Sequence, residues 1–327
     1  MTKKTVMKNE DEKVFQNLRA QAWEEFIGQG NIKKSLRVAL AAAKKRKEAS
    51  EHILLYGPPG LGKTTLAHLI AKELGVNFRA TSGPAIERAG DLASILTNLS
   101  DGDIFFVDEI HRLSKIVEET LYPAMEDYHL DIVVGQGPSA HTLKLDLPKF
   151  TLIGATTRIG LIAAPLRDRF GMTHRLTFYE PKELVEIIKN AALKLKLKLD
   201  LQVAEALAKR SRGTPRIALK LLKRCRDMAQ IKNNGHITEE VLNDSLRLLE
   251  VDSMGLDAND RRLLSALIDK HQGGPVGLET LAATIAEEKD TLEEVIEPYL
   301  LQIGFLKRTS RGRVATSKSK EHLKRNS

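Results

Sequence analysis

Gly57-Pro-Pro-Gly-Leu-Gly-Lys-Thr64 matches G-x-x-x-x-G-K-[ST] in full and follows the apolar segment His52–Tyr56. A loop of this kind needs glycines, so that successive backbone N–H groups can turn inward on the β- and γ-phosphates without a Cβ clash. Lys63 then brings a cation to those phosphates, and the Thr64 hydroxyl is placed to ligate Mg²⁺. A second apolar run, Ile104–Val107, ends in Asp108-Glu109. One carboxylate at such a strand tip can hold the metal's water shell while the other polarises the attacking water. These two segments predict that the chain binds and hydrolyses a nucleoside triphosphate.

Three weaker signals extend the constellation. Gly154-Ala-Thr-Thr157-Arg158 follows a further strand-like segment, and the expected sheet order leaves the Thr157 hydroxyl near Glu109. Alone, a strand-end threonine reads first as a turn cap. Pro165-Leu-Arg-Asp-Arg169-Phe170 places two guanidinium groups on one short stretch, which alone reads first as surface charge. Gly213-Thr-Pro-Arg216 puts a cation in the first turn of a helix, where the dipole disfavours it. An anionic partner such as phosphate would remove that conflict.

These residues need a scaffold. Strand-like segments at His52–Tyr56, Asn77–Thr81, Ile104–Val107 and Thr151–Ala155, with helical stretches between the first three, predict an α/β domain built on a parallel sheet. Its active site is expected at the carboxyl ends of the strands. A helix over Ile32–Lys44 precedes it and runs into the basic turn Lys44–Lys47. Leu130–Phe150 alternates apolar and polar residues on both sides of Gly135-Gln-Gly-Pro138, a hairpin pattern. After Tyr179-Glu-Pro181 only helical spacing remains, at Leu184–Leu197, Leu201–Ser211, Pro215–Ile231 and Thr238–Leu249. A break at Val251–Asp257 opens a third region, with helices at Arg261–His271, Leu278–Ala286 and Thr291–Gln302. Thr291-Leu-Glu-Glu294 reads as the capping box of the last. Phe305–Thr316 follows as a basic β-ribbon, which makes the third region a winged-helix module.

The 327 residues are too many for one core and suit two or three domains. Hydrophobic content of 42% with 29% charged residues excludes a disordered chain. Net charge is +8, and eight Lys/Arg against one Glu from Lys307 onward place nearly all of it in the tail. A lone cysteine, Cys225, rules out an internal disulfide, fits a reducing cytoplasm and reads as a packed core thiol. The N-terminal residues 1–17 are polar and expected to fray, without the apolar core of a signal peptide. No run approaches a membrane span.

In order and interval, the whole set resembles the RuvB family of AAA+ ATPases, the Holliday-junction branch-migration motors, from about Glu25 to Thr316. The segments carrying the resemblance include residues 81–99, the DE pair through the hairpin (108–140), LIGATTR, APLRDRFG, RSRGTPRIA and GGPVGLETLAA. It implies a large AAA+ domain over 1–180 with a partner-docking hairpin at 130–150, a small helical lid over 181–254, and a winged-helix head with a basic tail over 255–327. It implies ATP and Mg²⁺ as ligands, a homohexameric ring on duplex DNA, the junction-binding partner RuvA and the resolvase RuvC. Matched position by position, Gly60, Gly62, Lys63, Thr64 and Thr65 hold the phosphates and metal, and Asp108 and Glu109 form the metal-water and water-activating pair. Thr157 is then sensor 1, Arg216 sensor 2, and Arg169 the arginine finger that reaches a neighbouring subunit. Leu18, Arg19 and Tyr179 match adenine-pocket positions, and Glu126, Asp127 and Tyr128 a further nucleotide-contacting segment. Lys289, Arg308 and Arg313 fall at DNA-contacting positions. The chain has Arg19-Ala20 where the family has Arg-Pro, and Lys289 where arginine is usual.

Two other readings compete with a motor. A nucleotide-switched DNA-binding regulator would also combine an ATPase with a winged helix, but Glu293, Glu294 and Glu297 predict an acidic face on the recognition helix, poor for a major groove. A non-hydrolysing scaffold would leave Glu109 and Arg169 without a purpose.

Overall fold

The computed structural model describes residues 18–134 and 141–325; the N-terminal segment and the Gly135–Pro138 turn lie outside them. The chain forms two compact units, one from the residues up to Gly57 with Leu61–Thr177, the other from Pro58–Gly60 with Phe178 onward.

In the first unit, helix α1 (Gly30–Arg46) ends in the basic turn Lys44–Arg46, with Lys47 left-handed at its C-cap. The favourable end of the dipole thus carries the charge. The central sheet follows, from β1 (Ile53–Tyr56), β2 (Phe78–Ser82), β3 (Ile104–Asp108), β6 (Thr151–Thr156) and β7 (Met172–Arg175), in the order β2-β3-β6-β1-β7. All pairings are parallel. Parallel strands need crossovers, and α2 (Lys63–Leu74) and α3 (Ala89–Leu96) supply the first two. The run Ile104–Val107 and all of β6 are buried on both faces, as a sheet covered by helices on both sides requires. Strand β7 was not foreseen. It is short, alternates half-buried with exposed residues, and takes its place only by pairing with β1.

Helix α4 (Lys115–Glu126) is capped by Ser114, whose hydroxyl accepts the Val117 N–H at 3.4 Å. It packs through Val117, Leu121 and Met125 into the core around Phe105 and Phe150. It leads into the expected hairpin, β4 (His129–Val134) and β5 (His141–Asp146), an antiparallel pair separate from the main sheet. A short helix α5 (Ala164–Arg167) then precedes β7.

The second unit begins with helices α6 (Pro181–Lys194), α7 (Leu201–Lys209), α8 (Pro215–Lys232) and α9 (Glu239–Leu248). A two-residue parallel bridge joins β8 (Lys198–Leu199) to β9 (His236–Ile237). Cys225 is buried in α8, and its thiol is pushed up to about 11 by burial, so it packs as a small apolar group. A second core gathers α10 (Ala258–Ser265), α11 (Leu278–Ile285) and a helical run made of α12 (Lys289–Thr291), a π turn Leu292–Ile296 and α13 (Glu297–Gln302). Strands β10 (Leu306–Thr309) and β11 (Gly312–Ala315) form the antiparallel ribbon, and α14 (Ser317–Arg325) closes the chain.

Two expectations are corrected here. Thr291 is helical (φ −62°, ψ −43°) and Glu288 is the N-cap, so Thr291-Leu-Glu-Glu294 is helix interior and caps nothing. Glu297 is fully buried, so it is no part of an exposed acidic face. It turns instead toward the ribbon, where two arginines neutralise it.

Candidate active site

At the end of β1 the chain turns through Gly57 (φ 140°), where an added Cβ would sit 2.4 Å from the Leu176 carbonyl oxygen. No side chain fits that approach. Gly62, left-handed at φ 99°, is the N-cap of α2. Lys63 opens the helix, is buried, and donates its Nζ to the Gly57 carbonyl at 2.7 Å. The ammonium is therefore folded back over its own loop, beside the N–H groups that a helix leaves without acceptors in its first turn. Thr64 and Thr65 follow in that turn. A buried ammonium beside the N-terminal N–H groups of a helix is a setting suited to phosphate.

Strand β3 delivers Asp108 at its tip, in register with Ser82 of β2. Glu109 then adopts a left-handed conformation (φ 50°), with its N–H bonded to Asp108 Oδ1 at 3.0 Å. Its carboxylate is exposed and accepts from Arg112 at 3.0 Å. Gly83 lies so close that a Cβ there would meet the Glu109 carbonyl oxygen at 2.4 Å. Strand β6 lies beside β3, so its end lies next to this acidic tip. Thr156, the last strand residue, is buried and shares a 2.9 Å hydrogen bond with His111, while Thr157 one step on is half-buried.

The donor set fits a nucleoside triphosphate with Mg²⁺. Among the described residues no group of three His, Cys, Asp or Glu converges as a protein-only cage. Mg²⁺ commonly keeps water and phosphate ligands beside one or two side chains, and a hydroxyl such as that of Thr64 with a carboxylate such as that of Asp108 is the donor chemistry it takes.

Three family models match consecutive stretches: the P-loop domain of the Holliday junction DNA helicase RuvB over 18–176, the RuvB AAA lid domain over 179–252, and the RuvB C-terminal winged helix domain over 253–324. The chain belongs to the RuvB family. Its fold is accordingly a P-loop parallel-sheet domain, an AAA lid and a winged helix, the build of an ATP-driven AAA+ ATPase. Among solved structures it is similar to the Thermotoga maritima RuvB Holliday junction branch migration motor, at 52% identity and TM-score 0.87, over 94% of this chain and 98% of that one. An arginine-to-alanine variant of the same Thermotoga maritima RuvB matches at 51% identity and TM-score 0.86, over 94% and 98% of the two chains.

The other residues matched to RuvB positions are distributed as follows. In the first unit Leu18 is buried, while Arg19 and Thr65 line a cavity of about 490 Å³ with His68, Lys72 and Phe78. Tyr128 packs edge-on against Phe150, with ring centroids 5.9 Å apart, inside its own unit. Asp127 is exposed, and Glu126 gives its carboxylate to Arg169 at 3.0 Å. In the second unit Tyr179 is buried and its N–H donates to the Gly213 carbonyl at 2.8 Å. Arg216 sits in the first turn of α8 beyond the Thr214 cap, with its N–H on the Gly60 carbonyl at 3.3 Å. Gly60 (φ 81°) must lack a side chain, because a Cβ there would lie 2.8 Å from that of Arg216.

In the winged helix Arg308 and Arg313 stand directly opposite each other on β10 and β11. Both donate to Glu297, Arg308 at 2.6 Å and Arg313 at 2.6 Å. Arg308 keeps 45% of its side chain exposed and Arg313 only 15%. Lys289 is bonded to Glu279 at 3.0 Å. Sequence reasoning missed Glu297 because its neighbours read as one charged surface. Its signal was the proline at the next position, which ends one turn and starts another.

Proposed function

We propose that this RuvB-family protein hydrolyses ATP to drive branch migration of Holliday junctions, acting as a homohexameric ring on duplex DNA with RuvA, in DNA recombination and repair. The observation that carries the reading is the pairing of a complete phosphate loop with Asp108-Glu109 at the tip of β3, in a chain whose three family matches are all RuvB domains. The regulator reading loses its main support there, since none of those matches is to a regulator. RuvC, a cytoplasmic site of action and the domain limits 1–180, 181–254 and 255–327 belong to the same proposal.

In this mechanism Lys63 leaves the Gly57 carbonyl to meet the β- and γ-phosphates, and the glycine loop supplies N–H donors. Glu109 takes the proton of the attacking water, and the Thr157 hydroxyl orients that water or the γ-phosphate. Thr64 and Asp108 would hold Mg²⁺, which would supply positive charge against the phosphates. Arg216 places a second cation on the phosphates, and Arg169 acts on the ATP of a neighbouring subunit. Leu18, Arg19 and Tyr179 hold the adenine. Arg308, Arg313 and Lys289 track the DNA backbone, which suits movement along any sequence. The deciding experiment is dissociation of a synthetic four-way junction by purified protein with RuvA. ATP-dependent conversion to duplex arms is the expected result, and none with active RuvA would overturn the motor reading.

A further inference from the structure

Helix α4 carries Glu118, Tyr122 and Glu126 at intervals of four, so they lie in line along one helix face. All three touch the short stretch that bears Arg169. The Ala163 N–H bonds to the Glu118 carboxyl, whose proton affinity is raised by burial. The Tyr122 ring lies 4.5 Å from the Arg169 guanidinium carbon, a cation–π contact. Glu126 Oε2 accepts from Arg169 Nη2 at 3.0 Å. The stretch adds one contact of its own, Arg169 Nη1 to the Pro165 carbonyl at 2.7 Å. Arg169 Nε is buried and has no hydrogen-bond partner among the described residues, and 23% of the side chain remains exposed.

This arrangement holds a long, flexible side chain in one place. Arginine loses rotamer freedom when it engages a phosphate, and a guanidinium already held in place loses less. It also explains the carboxylate of Glu126. Beside a triphosphate that charge would repel, whereas against a guanidinium it attracts.

We propose that Tyr122 and Glu126 are positioning residues for the arginine finger. They act through Arg169, and so on the ATP of the adjacent subunit, while Glu118 pins the start of the same stretch. The proposal rests on the reading of Arg169 as a finger acting in trans.

The test uses the full-length protein assembled on duplex DNA. Tyr122→Leu removes the ring face and is expected to lower kcat for ATP by ~10-fold or more, with KM within about twofold, since only transition-state contact is lost. Tyr122→Phe keeps the ring and should retain wild-type kcat. Glu126→Ala, at an exposed carboxylate, should lower kcat in the same manner, with Glu126→Gln intermediate because it keeps an acceptor. This second pair carries the test if Tyr122→Leu does not fold. Mixing is the readout that a merely structural defect would not move. Tyr122→Leu subunits keep an intact ATP site and Lys63→Ala subunits an intact finger, so mixed rings, verified by crosslinking, should regain hydrolysis. Arg169→Ala mixed with Lys63→Ala is the control. If the control recovers and the Tyr122→Leu mixture does not, the positioning role is overturned while the trans finger stands. If the control itself fails in verified mixed rings, the trans finger falls and this proposal with it. Wild-type kcat in Tyr122→Leu, or faster turnover in Glu126→Ala, would also overturn it.

Discussion

The Lys63 ammonium is buried and bonded to the Gly57 carbonyl, so it is largely desolvated and folded over the loop. Exchanging one carbonyl for a charged phosphate oxygen strengthens its hydrogen bond, as charge-assisted bonds are roughly twice as strong as neutral ones. Lys63→Ala should therefore weaken ATP binding itself, seen as a raised Kd in equilibrium titration; an unchanged Kd would mean that the lysine does not reach the phosphates. Glu109 differs in kind. Its left-handed backbone turns it away from the strand line, and its carboxylate is exposed and paired with Arg112. Glu109→Gln should bind ATP about as well as wild type and turn it over at least ~100-fold slower, the scale of a lost general base. Single-turnover kinetics separates the two variants. A Glu109→Gln enzyme that hydrolyses at the wild-type rate would move the role elsewhere.

On the ribbon, β10 and β11 present Arg308 and Arg313 as a cross-strand pair, and α13 places a buried carboxylate behind them. Like charges directly opposite on a two-stranded ribbon repel, and Glu297 removes the conflict by sharing its two oxygens. The exposure difference splits the expected outcomes. Arg308→Ala should weaken binding to unrelated duplexes alike and lower the slope of log affinity against log salt by about one unit, with little loss of stability. Arg313→Ala should lower the same slope by about one unit and also cost ~1–3 kcal/mol of stability, because it strips a buried hydrogen-bonded partner from Glu297. Salt titrations with denaturant melts check both. A change in sequence preference without a change in slope would point to base readout instead. The hairpin is a further element-scale case. Leu143 of β5 is 50% exposed and stands opposite Ile132 in the ladder, while the side chains of Ile132, Val133 and Val134 lie outside the described residues. Leu143→Glu is expected to abolish RuvA-stimulated branch migration while basal ATPase survives; intact stimulation would show that this face does not dock the partner.

At the scale of the molecule, the lid and winged helix of the second unit meet at an ion cluster. Arg212, left-handed at φ 52°, donates to Asp260 at 2.5 Å and to Asp257 at 2.8 Å, with its guanidinium 5.5 Å from the Tyr299 ring. Asp260 is fully buried and its Oδ1 has no hydrogen-bond partner among the described residues, so burial pushes its carboxyl up to about 7 despite Arg212. At Asp257 burial opposes the charge, but Arg212 and backbone N–H groups outweigh it and hold the carboxyl below its ordinary value. The two therefore act in different windows. Asp260 binds its proton more tightly folded than unfolded, so its contribution is complete below its ordinary value of 3.8 and is lost as pH rises to about 7. Asp257 contributes above its ordinary value of 3.8 and loses that below it. His52, His68 and His174, whose proton affinity burial lowers, gain stability over the same range, so the test is a difference. In thermal melts from pH 5 to pH 8 the Tm of Asp260→Asn should fall less, or rise more, than that of wild type, because the titrating group is gone. Identical pH slopes in the two proteins would refute the assignment.

Much of this protein was legible from local chemistry. The phosphate loop, the acidic tip of β3, four of the five sheet strands, the lid helices and the ribbon could all be read because each depends on a backbone requirement or a periodic burial that short stretches encode. Gly57 and Gly62 are one case, since positive φ is a property of the residue itself. The apolar run of β3 is another, since a strand covered on both faces must be apolar throughout. Tertiary structure alone decided the rest. Strand β7 is too short and too polar to declare itself, and exists through pairing with β1. Thr291 looked like a cap, but the helix begins two residues earlier at Lys289, and a local capping pattern cannot say which of two adjacent starts will pack. Glu297 read as surface because a carboxylate is expensive to bury, and only the distant Arg308 and Arg313 make it tolerable. The stripe of Glu118, Tyr122 and Glu126 was present at helical spacing, yet nothing local says that its face meets the stretch bearing Arg169. Pairings between residues remote in the chain depend on packing, and that is where the wing and the Arg169 stretch acquire their settings.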